Sequence, residues 1–205
     1  ITLNDAGVAL TGTVENIKAA FAGTVTEHTG TLEISDANTT DITATDITSI
    51  NTSNTGTITV TNTIDIVGSG AQVKAAFEAI NTNTGNATAN ITGTDYTVAQ
   101  LKAINNATTG AIVLATSTSE ALSGDATDLA AALDGTINYT GNVTVTDSSY
   151  TVTELKTINA GTTGSITLTS AGVALSGTVE NIKAAFAGTV TEHTGTLEIT
   201  DANTT

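Results

Sequence analysis

Aliphatic residues recur along this chain in two rhythms. In the first, apolar and polar positions alternate over four or five residues. This happens at Gly30–Ile34, Thr57–Val60, Ala111–Leu114, Asn142–Val145, Ser165–Leu168 and Gly195–Ile199. Period-two alternation rich in β-branched residues predicts half-buried strands. The expected inward pairs are Leu32/Ile34, Ile58/Val60, Ile112/Leu114, Val143/Val145, Ile166/Leu168 and Leu197/Ile199. Weaker second strands are expected at Ile64–Ile66 and Val173–Leu175.

In the second rhythm, apolar residues stand three or four apart. Each such stretch opens on an aliphatic anchor: Ile17, Ile47, Val73, Leu101, Leu129, Leu155 and Ile182. That spacing places the side chains on one face of a short helix. Four residues before every anchor stands a good N-cap: Thr13, Thr43, Ser69, Thr97, Asp125, Thr151 and Thr178. The residue just before the anchor sits where a capping box closes, and Gln72, Gln100 and Glu154 are its best partners. Helices of two or three turns do not hold alone in water and need a sheet to lie on.

The anchors are spaced 30, 26, 28, 28, 26 and 27 residues apart, a period of about 27, which falls in the range of stacked repeat arrays. The predicted fold is therefore α/β: a solenoid of about seven βα repeats with parallel stacked strands and short capped helices. A longer period overlies this one. Residues 1–40 and 166–205 differ only at Asn4/Thr169, Asp5/Ser170, Thr11/Ser176 and Ser35/Thr200. The expected organisation is one continuous array over 1–205, continuing beyond both ends as a piece of a longer repetitive chain.

The helices come in two alternating kinds. One continues four residues past its anchor to Phe21, Phe77, Leu133 and Phe186; the other continues three residues to Ile50, Ile104 and Ile158 and runs to a Thr-Gly stop at Gly56, Gly110 and Gly164. The building block is then a pair of repeats, about 54 residues. Stacked parallel strands are about 4.8 Å apart whereas packed helices need about 8–10 Å. Placing the two kinds of helix on opposite sides is one way to reconcile these distances in a straight rod, and it is the arrangement expected here.

Composition narrows the function. There is no Pro, Cys, Met or Trp, only 3% of residues are aromatic, and net charge is −15. Such values suit a disordered chain, but 39% hydrophobic residues in a fixed rhythm predict a folded one. With five basic residues against twenty acidic ones, no patch is available for nucleic-acid phosphates. No apolar run reaches the roughly 18 residues of a membrane span, and no signal peptide is evident. The lack of Cys removes disulfides and thiolate metal sites.

No residue emerges as catalytic, cofactor-binding or metal-ligating. His28 and His193 are copies of each other, and Asn83 and Tyr139 fill the same slot elsewhere, so the histidines are expected as exposed turn residues. Tyr96 and Tyr150 share a slot with Ile42, which predicts local packing. Asp36, Asp41 and Asp46, or Asp125 and Asp128, could hold calcium, but they do not recur in every repeat and are expected as solvated surface charge. The outward strand residues Thr59, Thr88, Thr144 and Thr167 suggest an ice-binding ladder, which Glu33, Val113 and Glu198 interrupt. No nucleophile stands with a base, so an enzyme is not expected.

The segments Tyr96–Gly110, its partner Tyr150–Gly164, and Leu122–Leu133 resemble repeats of giant secreted or cell-surface proteins of bacteria, especially marine cyanobacteria. The resemblance implies an extracellular location and a fibre, adhesin or matrix role, with association end to end or within a longer chain. The alternative is a module that recognises carbohydrate or another surface along the repeat face.

Overall fold

The computed structural model describes residues 2–23, 25–114, 120–135, 137 and 139–202; the outermost residues of the duplicated segments, 1 and 203–205, lie outside these. Seven helices are present among the described residues: α1 (Val14–Ala20), α2 (Ala44–Thr52), α3 (Gly70–Ala79), α4 (Val98–Ala107), α5 (Ala126–Leu133), α6 (Val152–Gly161) and α7 (Val179–Ala185). Each contains one expected anchor. The capping residues explain where the helices start. Thr13, Ser69, Thr97, Asp125, Thr151 and Thr178 each accept from the backbone N–H three residues on. Thr43 alone makes no such bond; its hydroxyl serves the Asp46 carboxylate instead. Gln72, Gln100 and Glu154 reach back to the cap N–H at 2.9 Å, closing all three expected capping boxes.

The strands are β1 (Leu10–Gly12), β2 (Leu32–Ile34), β3 (Asp41–Thr43), β4 (Ile58–Val60), β5 (Asp65–Gly68), β6 (Thr82–Asn83), β7 (Thr88–Ile91), β8 (Ile112–Leu114), β9 (Leu122–Gly124), β10 (Val143–Val145), β11 (Ile166–Leu168), β12 (Leu175–Gly177) and β13 (Leu197–Ile199). All six alternating segments are strands, and the two weaker ones appear as β5 and β12, shifted by one or two residues. The four small sheets, ordered β1-β2-β4-β6, β3-β5-β7-β8, β9-β10-β11 and β12-β13, have every pair parallel.

The chain divides into two compact units, residues 1–93 with 106–115 and residues 94–105 with 116–205. The first contains β1–β8 and α1–α3; the second contains β9–β13 and α5–α7, and the division falls within α4. The core of each is the inward aliphatic set. Leu32, Ile34, Ile58, Val60, Ile112, Val143 and Val145 are all fully buried, as are six further residues on the helices, Ile47, Val73, Leu101, Ile104, Leu129 and Leu155. The expectation fails at β13. Leu197 and Ile199 are 44% and 61% exposed, because β13 is the edge strand of its sheet among the described residues.

The two-sided arrangement of helices is not what forms. Within the first unit α1 packs on α2 and α2 on α3; within the second α5 packs on α6 and α6 on α7. Consecutive helices, of opposite kinds, are neighbours. The mismatch between helix and strand spacing is met differently, by interrupting the sheets. The strand that opens each sheet abuts a helix: β1 ends at residue 12 before α1 at 14, β3 ends at 43 before α2 at 44, β9 ends at 124 before α5 at 126, and β12 ends at 177 before α7 at 179. Later strands of the same sheet stand further off. In the third sheet β10 ends at 145 with α6 starting at 152, and β11 ends at 168 with α7 starting at 179. Paired strands are offset by shorter sequence steps (Leu122↔Val143↔Ile166) than successive helices, so each ladder slips back from its helix until a new strand starts beside the cap. Short ladders keep the difference between about 4.8 Å and 8–10 Å from accumulating in one sheet.

Gly56 and Gly164 also have a different role from the expected one. α2 has already ended at Thr52 and α6 at Gly161. A Cβ on Gly56 would lie 2.0 Å from the Gly30 carbonyl oxygen, and one on Gly164 would lie 2.2 Å from that of Gly141. These glycines let the backbones of successive repeats approach one another; they do not stop helices.

Candidate functional site

The chemistry of this molecule is concentrated where one repeat meets the next. The first element is a polar slot. His28 is 1% exposed, so the reading of it as an exposed turn residue is overturned. Its Nε2 lies 2.7 Å from the Val8 carbonyl in the preceding repeat, and its Nδ1 lies 2.8 Å from Asn54 Oδ1 in the following one. His193 repeats the first contact, Nε2 to Val173 O at 2.7 Å. Tyr139, in the same slot, donates its hydroxyl to the Glu120 carbonyl and accepts from Leu122 N–H at 3.1 Å. Asn83 accepts from Ala87 N–H at 2.9 Å and donates to the Ala107 carbonyl. Three residue types thus answer one demand, a polar side chain that bonds backbone groups at the junction between repeats. Burial raises the Tyr139 hydroxyl to about 12, against the Leu122 N–H bond that lowers it, with Tyr96 and Glu120 adding to the rise.

The second element braces the helix ends. The first N–H of α1 donates to Asp36 at 2.8 Å, that of α5 to Asp147 at 3.1 Å, and that of α7 to Asp201 at 2.8 Å. Each carboxylate comes from the following strand, 21 or 22 residues on, and meets a helix end whose N–H groups and dipole favour negative charge. At the other end, Asn105 donates to the carbonyls of Ala131 and Asp134 at the close of α5, both at 2.9 Å. Asn159 does the same for Ala184 and Ala187 at α7, at 2.7 and 2.8 Å. This is what the two kinds of repeat accomplish: α5 and α7 are capped in front by the strand that follows and behind by the helix that precedes.

The third element is a rung between helix faces. Lys18 of α1 pairs with Asp46 of α2, Lys102 of α4 with Asp128 of α5, and Lys156 of α6 donates to Asn181 of α7 at 2.8 Å. Each lysine directly follows an anchor, and each partner directly precedes one. Burial would raise the Asp46 carboxyl, but the Lys18 and Thr43 hydrogen bonds and the Lys18 charge outweigh it and hold it low. Burial likewise acts upward on Glu154, and bonds from Thr127 and Thr151 bring it below the ordinary carboxylate range. Hydrogen bonding to Asp128 raises Lys102.

Bonds account for four of the five acids weighed as calcium ligands, Asp36, Asp46, Asp125 and Asp128. Asp36, Asp41 and Asp46 do line one concavity, of about 340 Å³, together with Glu15 and Lys18. Asp36 caps α1 and Asp46 pairs with Lys18, while Asp125 caps α5 and Asp128 pairs with Lys102. Among the described residues no group of three His, Asp or Glu side chains is placed to hold a metal ion. Tyr96 and Tyr150 pack inside as expected, as does Ile42 in their shared slot. Tyr150 donates to the Ser170 carbonyl at 2.5 Å, whereas the Tyr96 hydroxyl is buried with no hydrogen-bond partner among the described residues, its ring edge-on to Tyr139. On the outward strand face, Glu33 accepts from Thr11 at 3.3 Å and Thr61 at 3.1 Å, so the residue that interrupts the threonine row is tied into it.

Sequence reasoning missed the Asp braces although their signal is there: an aliphatic-x-aliphatic strand followed by Ser or Thr and then Asp, at Leu32–Asp36, Val143–Asp147 and Leu197–Asp201. No helix of the described residues is long and apolar enough to cross a membrane. No family model matches the chain, and neither a curated protein nor a solved structure shows significant similarity to it.

Proposed function

We propose that the chain is a structural or adhesive segment of an extracellular array, a solenoid whose repeats extend a rod, stalk or filament and which performs no catalysis. The observation that carries this reading is the destination of the polar side chains. Acids, amides, lysines and the slot residues are spent on the neighbouring repeat, and the bonds described above reach no further than one repeat away. A molecule built in this way gains length by adding units, each stabilised by nearest-neighbour contacts. A net charge of −15 keeps an extended surface soluble, and salt screens its self-repulsion to within about 10 Å.

The proposal is tested by electron microscopy of the purified chain across a concentration series. Filaments that lengthen end to end with concentration are expected. Compact particles at every concentration, together with selective binding on a glycan array, would replace this reading with surface recognition.

A further inference from the structure

Helices of the first kind carry an apolar residue four positions past the anchor. In α3 and α5 that residue is lost to the core, Phe77 at 4% and Leu133 at 1% exposed. In α1 it is Phe21, which stays half-buried, and the local chain explains why. α1 ends after seven residues where α3 runs to ten and α5 to eight, so Phe21 falls on the helix cap and not within the last turn. Gly23 then turns the backbone left-handed, φ 84°, with open space beside it. The aromatic ring is left at the outer end of the junction between α1 and α2.

Two adjoining hollows result, and Phe21 and Ser53 line both. One, of about 180 Å³, adds Glu27 and Thr52; the other, of about 140 Å³, adds Lys18 and Ser49. Together they reach the lower end of the roughly 300–1,000 Å³ that small-ligand sites span. The His28 ring, 5.7 Å away and tilted by 54°, props the phenylalanine ring from within. The polar groups around it are set to accept. Ser49 donates to the Thr45 carbonyl and Thr52 to the Ser49 carbonyl, both at 2.7 Å, which leaves each hydroxyl oxygen its lone pairs. The Glu27 carboxylate is exposed, forms no ion pair among the described residues, and can only accept. Lys18, paired with Asp46, supplies a charged donor at the rim.

We infer that this junction is a saccharide subsite, which takes two consecutive β-linked pyranose units with equatorial hydroxyls. Such a sugar carries C–H groups on its faces and hydroxyls around its edge. The face suits the Phe21 ring, and the edge hydroxyls find acceptors at Glu27, Ser49 and Thr52. An apolar platform with a few convergent polar groups is the usual anatomy of a small-ligand site. Hydrogen bonds to a charged acceptor are about twice as strong as neutral ones, so Glu27 contributes most to affinity and the ring selects a closed sugar over an open polyol. The inference goes beyond the proposed function: it gives an adhesive segment a ligand to hold, and it does not depend on filaments forming.

The test titrates the isotope-labelled full chain with cellotetraose and follows its backbone amide resonances, with sorbitol as a control that has the hydroxyls but no ring. Saturable shifts centred on Phe21, Glu27 and Ser53 are expected from the oligosaccharide and none from sorbitol. Glu27→Gln, at an exposed position, should weaken binding about tenfold. Phe21→Leu should weaken it at least as much while the fold is kept, since Leu133 fills the same slot in α5. Shifts that fail to saturate, that sorbitol reproduces, or that both variants leave unchanged overturn the subsite. A chain that forms filaments and binds no cellotetraose keeps the proposed function and loses this subsite; binding by particles that never elongate does the reverse.

Discussion

The two copies of the duplicated segment separate what a repeat does for itself from what its neighbour does for it. Helix start, glycine turn, ring geometry and Asp brace are the same in α1–β2 and α7–β13, although a helix precedes only the second, so these are properties of the duplicated segment itself. Burial is not. Val14 is 3% exposed and Val179 45%, with the same residues around them in sequence. Burial of Val14, Leu32 and Ile34 is therefore completed by the repeat that follows.

The largest difference should come from the strand leucines. Leu32→Ala empties a fully buried site and is expected to cost about 2–5 kcal/mol in urea denaturation. Leu197→Ala should cost under about 1 kcal/mol, in keeping with its exposure. Equal losses at the two positions would break the comparison.

The histidines should show a smaller contrast. His28→Ala removes both ring bonds of a buried side chain, to the Val8 carbonyl and to Asn54, a loss of about 2 kcal/mol. His193→Ala removes one bond from a half-buried site and should cost about half as much. If the histidine were a surface turn residue, neither change would move the unfolding midpoint.

The smallest effect is at the lysines, where it sharpens the comparison through pH. Asp46 titrates below its ordinary value, so its pairing stabilises the folded state above the usual carboxylate range, and that stability is lost as pH falls through the lowered value. Lys18→Met should cost less than about 1 kcal/mol at neutral pH, since both partners are partly exposed, and nothing once Asp46 is protonated. Lys183→Met should match the unsubstituted chain at every pH. A pH-independent loss at Lys18 would show that its aliphatic stem, not its charge, holds α1 to α2.

Much of this fold was legible in the amino-acid order because its signals are local. Seven anchors lie on seven helices, and the three residues able to close a capping box do so. What could not be read was set between repeats. Helical side could not be inferred from spacing, because the structure accommodates the strand–helix mismatch by ending sheets early. The slot shared by His28, Asn83 and Tyr139 looked tolerant because its residues differ in size and charge; what they hold in common is the ability to bond a backbone group at the junction between repeats. The acids read as solvated charge because their partners, the α1 N-terminus for Asp36 and Lys18 for Asp46, are 22 and 28 residues away in sequence.

The slipping ladders bear on how such a gene can change. Between a strand and the next helix the chain spends no residues at β3–α2, one at β1–α1 and six at β10–α6, and the helix forms each time. The strand face and the helix cap are what these junctions share, while the number of residues between them varies. Unequal crossing-over between near-identical coding segments, such as those for residues 1–40 and 166–205, can then insert or delete whole blocks. The protein's length becomes a heritable quantity that varies without redesign of its interior.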